Sequence, residues 1–192
     1  MRIEVYFKNP SLDGRGHRVC ERLRTQFPSV SAVTAADVYI VEGVDGFSPE
    51  LAKELFSDPV TQDTTCITDP IQDRPYSGGD LSWDLAIEIT YKPGVTDPVA
   101  LTAREAVKTA LPEQVTEQSL IQTARLYLIS LDSGGDSERT AYRIAAELYN
   151  PLIESCAVLD RSRMERGETL PLRYPHTVNT APPEVLTFDI AG

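Results

Sequence analysis

Two aspartates and two lysines are the residues of this 192-residue chain whose types and placement could do chemistry. Asp13 and Asp97 each close a short loop, and each loop begins at a lysine, Lys8 after RIEVYF and Lys92 after AIEITY. Carboxylates in corresponding loops could form a general acid and base couple, and a lysine beside each could act as a nucleophile. Local context gives plainer roles. An aspartate directly before an amphipathic helix is its N-cap, and a lysine that ends a strand sits on a solvated rim.

The remaining reactive residue types are scattered. His17 lies in the first turn of a helix where the other copy has Leu101, and His176 lies in a proline-rich stretch; each reads as a satisfied or exposed histidine outside any duplicated site. Cys20, Cys66 and Cys156 are an odd, widely spaced set at apolar positions and read as reduced core thiols. Gly14 and Gly16, Gly78-Gly79 and Gly134-Gly135 lack the spacing of phosphate-cradling loops and read as turns. Trp83, the sole tryptophan, reads as a core or interface anchor. No catalytic set, cofactor site or metal site is predicted.

The elements that position these residues occur twice. At an offset of 84, Ile3, Glu4, Lys8, Asp13, Glu21, Thr25 and Pro28 all recur, seven identities in 26 positions. At 88, Ala36, Val38, Tyr39, Ile40 and Val41 face Ala124, Leu126, Tyr127, Leu128 and Ile129, and at 92, Asp58-Pro59-Val60 faces Asn150-Pro151-Leu152. An offset that grows only by small insertions marks an internal repeat. Each copy opens with strict alternation, Ile3, Val5, Phe7 against Glu4, Tyr6, Lys8, which predicts a half-buried strand. Amphipathic helices follow, from Asp13 to Phe27 and Asp97 to Leu111, with Pro98 at a first helical position and Pro28 and Pro112 as terminators. The long segments Val30 to Glu42 and Val115 to Leu131 predict a bent strand, or two strands broken near Ala35 and Thr123. Second helices start at Ser48-Pro49-Glu50 and in GGDSER, and last strands run over Val60 to Ile67 and Leu152 to Leu159.

The order strand, helix, strand, helix, strand, twice, predicts an α+β chain of two tandem ferredoxin-like units with helices on one sheet face, packed as an intramolecular pseudo-dimer. The units span 1–68 and 83–160, joined by a linker at 69–82 and followed by an extended proline-containing tail at 161–192. Units this small gain by packing against each other. A net charge of −11 opposes nucleic-acid binding and polybasic membrane docking. No 18-residue apolar run and no signal-peptide pattern is present, which predicts a cytoplasmic protein.

The loop Lys92-Pro93-Gly94-Val95-Thr96-Asp97-Pro98, after an alternating strand and before a helix, resembles the Lys-Pro-Gly-Val-x-Asp-Pro signature of the PurS family. PurS is the small non-catalytic component of phosphoribosylformylglycinamidine synthase. The resemblance runs through both units to Asp58-Pro59 and Asn150-Pro151. It departs at Ala100, where the family commonly has the glycine that the first copy keeps as Gly16, and at Lys8-Asn9-Pro10-Ser11-Leu12-Asp13-Gly14. The resemblance implies a scaffold that bridges a glutaminase and an ATP-dependent synthetase in purine biosynthesis and supports ammonia transfer between them. It implies no cofactor, intramolecular pairing of the repeats with room for a further homo-oligomer, and partner contacts through Lys8, Asn9, Asp13, Lys92, Pro93, Gly94 and Asp97. The ending PPEVLTFDIAG looks like the lead into a synthetase domain. A pair of ACT-like units that bind a small regulatory molecule is the alternative on the same fold class.

Overall fold

The computed structural model describes residues 1–68, 83–132, 137–168 and 170. In chain order the elements are β1 (Arg2–Phe7), α1 (Gly14–Arg24), β2 (Val30–Glu42), α2 (Pro49–Phe56) and β3 (Gln62–Ile67). They are followed by β4 (Leu85–Tyr91), α3 (Pro98–Ala110), β5 (Leu120–Leu131), α4 (Ser137–Ala146), β6 (Glu154–Asp160) and a short α5 (Arg161–Glu165). The strands form one antiparallel sheet in the order β3-β1-β2-β5-β4-β6, so the chain is α+β. The segment predicted as a linker, and all of the predicted tail beyond residue 170, lie outside the described residues. The tail's first residues are helical in α5 rather than extended.

β2 and β5 make the longest ladder, and its register maps onto itself under the 88-residue offset. Tyr39 pairs with Thr123 as Ala35 pairs with Tyr127, and at the centre Asp37 pairs with Arg125, its own counterpart. The helices cross this seam. Val19, Cys20 and Leu23 of α1 join Ile144 of α4 and Leu148, just past its end, in one core with Leu85, Ile87 and Ile89 of β4. Ala103 and Val107 of α3 join Ala52 of α2 over Ile3 and Val5 of β1. The first helix of each segment packs on its own central strand, α1 on β2 and α3 on β5, and its buried face shares a core with a strand of the other segment.

Three expectations are corrected. First, β1 is not half-buried, because Arg2 through Tyr6 are all buried. The side-chain positions that alternate with Ile3 and Val5 belong to a second layer formed by Tyr6, Val38, Ile40, Leu126, Leu128 and Leu159 with Trp83 and Leu170. Glu4 and Glu88, matched by the repeat, both lie in that layer, 0% and 1% exposed. Arg2 joins them: its Nε donates to Glu4 Oε1 at 2.8 Å and its Nη2 donates to Glu88 Oε2. Tyr6 donates its hydroxyl to the other oxygen of Glu4. Buried charges persist when they are paired in this way. Alternation by itself reports only that two faces differ, so a face of charged and apolar residues reads as solvated until its partners are known.

Second, the long strands do not break at Ala35 and Thr123; β2 pairs with β5 continuously from Ala32 to Glu42, with an irregularity only between Val30 and Ala32. The neighbour on the outer side changes instead, since the ladder with β1 stops at Asp37 and that with β4 stops at Arg125. Third, the last strands begin two residues late, at Gln62 and Glu154, because Val60 and Leu152 sit in turns.

Trp83 is 4% exposed, with the Arg161 guanidinium 5.8 Å from its ring centroid and Arg161 Nε donating to its carbonyl at 2.6 Å, which joins the entrance of β4 to the exit of β6.

Arg2→Met should cost roughly 3 kcal/mol or more in urea unfolding, because it removes the cation shared by two buried carboxylates, whereas Arg2→Met combined with Glu4→Gln and Glu88→Gln should recover most of that loss. An Arg2→Met variant as stable as the parent would show that this bridge contributes nothing.

Candidate functional site

The two loops that carry the predicted site residues are built on one plan. In the first, Asp13 caps α1: its Oδ1 accepts from Gly16 N at 2.7 Å, and its Oδ2 accepts from Ala35 N on β2 at 2.6 Å. In the second, Asp97 Oδ1 accepts from Val99 N and Ala100 N, at 3.0 and 2.9 Å, and its Oδ2 accepts from Thr123 Oγ1 on β5 at 2.7 Å. Each carboxylate therefore ties a helix N-terminus to a central strand where the outer ladder has ended. Lys8 Nζ donates to the Pro59 carbonyl at 2.6 Å and Lys92 Nζ to that of Pro151. The lysine backbone N–H groups donate to Thr61 and Ile153 carbonyls, both at 2.9 Å. Asn9 accepts from Ser11 N and starts a 3-10 turn, and Gly94 takes the left-handed φ of +86° that the turn after Pro93 requires. Asp13 and Asp97 are caps, and both lysines are ties across the sheet end rather than free cations.

The two loops do not meet. β1 is antiparallel to β2, β2 to β5 and β5 to β4, so β1 and β4 run in opposite senses and their loops leave in opposite directions from either side of the Asp37–Arg125 centre. An acid and base couple between Asp13 and Asp97 is excluded.

The loops differ at one residue of consequence. Gly16 lets α1 lie directly against β2; a Cβ there would stand 2.3 Å from Asp13 Oδ2 and 2.5 Å from the Val33 carbonyl. Its counterpart is Ala100, and α3 approaches β5 less closely than α1 approaches β2. In this second half a cavity of about 280 Å³ opens where β4 and β5 part. Thr90, Lys92, Gly94, Asp97 and Ala100 line one side, with Gln122, Thr123, Glu88, Ser155 and Cys156 around the rest. Gln122 Oε1 is buried with no hydrogen-bond partner in the structure. A smaller cleft of about 130 Å³ shares Thr90, Tyr91 and Thr123 and reaches the centre of the seam. There Arg15 donates to Asp37 at 2.7 Å, and Arg125 Nη2 donates to Glu154 Oε1. Burial, followed by the Asp37 charge, raises the pKa of Tyr39 beside them, so its phenol stays protonated.

Burial pushes the Cys156 thiol up to about 11, with the Glu88 and Glu154 charges adding to the effect. It is therefore a neutral thiol at physiological pH and no nucleophile. All three cysteines are unbridged. Among the described residues no group of three His, Cys, Asp or Glu side chains could hold a metal ion, and no helix is long and apolar enough to cross a membrane.

Val60 and Leu152 were missed as surface residues. They are 80% and 82% exposed at the tips of matched turns, with Val60 N donating to Asp58 Oδ1 at 2.8 Å and Leu152 N to Asn150 Oδ1 at 3.0 Å. The Asx-Pro pair before each was the available signal, since it favours a turn over a strand. No protein-family model matches the chain, and no curated protein matches it.

Gly16→Ala should destabilise by about 1–3 kcal/mol, and Ala100→Gly by no more than about 1 kcal/mol, in denaturant titrations; equal costs would remove the distinction between the two helix entries. At pH 8 Cys156 should alkylate about 100-fold more slowly than an unperturbed thiol of pKa 9.0, with the rate climbing as pH approaches 11. Labelling of a variant that retains only this cysteine reads this directly.

Proposed function

We propose that the chain is a non-catalytic bridging module of phosphoribosylformylglycinamidine synthase, two tandem PurS-like, ferredoxin-like units forming a pseudo-dimer on one chain. It would pair a glutaminase with an ATP-dependent synthetase in purine biosynthesis and support ammonia transfer between them, in the cytoplasm. The observation that carries this reading is the seam: two segments of the same element order share one sheet through β2 and β5, in a register centred on Asp37 and Arg125. The loop on which the PurS resemblance rests, Lys92 to Pro98, supports it further. It is braced by a lysine tie and an aspartate cap that recur at Lys8 and Asp13, so the matched residues build a shape rather than a reaction centre.

Partner contact then falls to what these braces display. Lys8, Asn9, Pro93 and Gly94 lie at the loop surfaces, and Val60 and Leu152 project from the turns that the lysines hold. Asp13, 3% exposed, acts from behind as a support. A rigid, exposed aliphatic residue is a low-entropy anchor for an apolar pocket on a partner.

Mixing the chain with separately produced glutaminase and synthetase should restore glutamine-dependent formation of formylglycinamidine ribonucleotide. Val60→Asp and Leu152→Asp should each weaken assembly by roughly tenfold or more while leaving the melting temperature unchanged. Absence of binding to either enzyme, with turnover no higher than in the chain's absence, would end the proposal.

A further inference from the structure

We propose that the face of the sheet turned away from α1–α4 is a docking surface for the chain's own C-terminal segment, residues 171–190, which crosses it as an extended apolar strap. The bridging role neither requires this nor follows from it.

Three observations carry it. The first is the face itself. Side chains that alternate with those under the helices form one apolar layer, from Tyr6 of β1 through Val38 and Ile40 of β2 and Leu126 and Leu128 of β5 to Leu159 of β6. No buried residue of α1–α4 belongs to it; besides strand residues, its members among the described residues are Trp83 and Leu170. Six strands spaced about 4.8 Å apart make a face roughly 24 Å wide, far more than two side chains can cover. Yet Val38, Ile40, Leu126 and Leu128 are each 2% exposed or less. The layer therefore needs a further cover. The second observation is where the chain is aimed after β6. Asp160 Oδ1 accepts from Arg163 N at 2.9 Å and caps α5. Past α5, Gly167 takes a left-handed φ of +86° and Glu168 N donates to the Arg163 carbonyl at 3.0 Å, which turns the chain back. Leu170 then lies within the apolar layer, 3% exposed, so residue 171 starts on this face. The third is the pattern that follows. Leu170, Leu172 and Tyr174 alternate with Pro171, Arg173 and Pro175. A residue before proline is held extended, and in an extended chain alternate side chains share a side. With Leu170 turned in, Leu172 and Tyr174 meet the same layer. Leu186, Phe188 and Ile190 repeat the alternation against Thr187 and Asp189. Twenty residues beyond Leu170, extended, reach about 66 Å, enough to cross the face more than twice. Residues 69–82 are the poorer occupant: their large apolar residues, Ile71, Tyr76 and Leu81, are five apart and share no such alternation.

The test uses the full chain. With Ile, Leu and Val methyl groups labelled for NMR, NOEs should join Leu172 to Val38, Ile40, Leu126 or Leu128. Leu172→Asp combined with Tyr174→Asp should open the layer. Trp83, the sole tryptophan and a member of that layer, should then emit at longer wavelength and be quenched by acrylamide towards the level of the urea-unfolded chain, and the dye ANS should bind. An unchanged far-UV circular dichroism spectrum shows that the variant is folded. Ile71→Asp combined with Tyr76→Asp should leave Trp83 protected. Any of four results overturns the proposal: no NOE from Leu172 to the strands; Trp83 as protected in the folded Leu172→Asp, Tyr174→Asp chain as in the parent; equal exposure of Trp83 by the Ile71→Asp, Tyr76→Asp pair, which would make residues 69–82 the cover; or a dimeric parent whose Trp83 becomes exposed on dilution, which would make a second copy the cover. The NOEs are measured on the parent and decide the matter even where a variant does not fold.

Discussion

Everything in this molecule hangs on the pairing of β2 with β5. These are the longest strands, they lie at the centre of the sheet, and among the described residues no other strand pair joins the first segment to the second. Because the buried faces of α1 and α3 share their cores with β4 and β1 of the other segment, separating β2 from β5 would divide both cores. A small unit with one exposed sheet edge and half a core would be marginal alone. Joined, the two bury Ile3, Leu23, Ile87, Ile129 and Ile144 almost completely.

The second constraint is the meeting of each helix N-terminus with the seam. Where the outer ladders stop, at Asp37 and Arg125, the central strands need new partners, and Asp13 and Asp97 provide them while capping their helices. Asp13 thus serves two backbones, and Asp97 serves one backbone and a strand hydroxyl, a structural reason for the aspartate to recur. The difference between halves is a single methyl group's worth of clearance, absent at Gly16 and present at Ala100, and it separates a closed junction from an open one.

Much of this was legible in the residues. The repeat offsets located every strand and helix of both segments to within a few residues, because caps, proline stops and apolar spacing are local signals. Asp13 and Asp97 were readable as caps for the same reason. What was not legible depends on residues far apart in the chain. That Glu4 and Glu88 are buried follows from Arg2 lying between them, 86 residues from Glu88, and no local pattern distinguishes that from a solvated face. The continuity of β2 and β5 was hidden because Ala35 and Thr123 do mark a change, in the neighbour rather than in the strand. Val60 and Leu152 read as strand because they are aliphatic, while the preceding Asx-Pro pair sets the backbone. The cavity has no signature of its own; only the substitution of Ala100 for Gly16 hints at it.

The opposed senses of β1 and β4 have a consequence for valency. Lys8 and Lys92 lie about six residue rises apart along the sheet and three strands apart across it, roughly 25 Å, and they face away from each other. Bodies seated on the two loops would approach along opposite strand directions, with the centre of the seam between them. The geometry is that of a two-ended spacer, whose length is set by strand register and is therefore as stiff as the sheet itself.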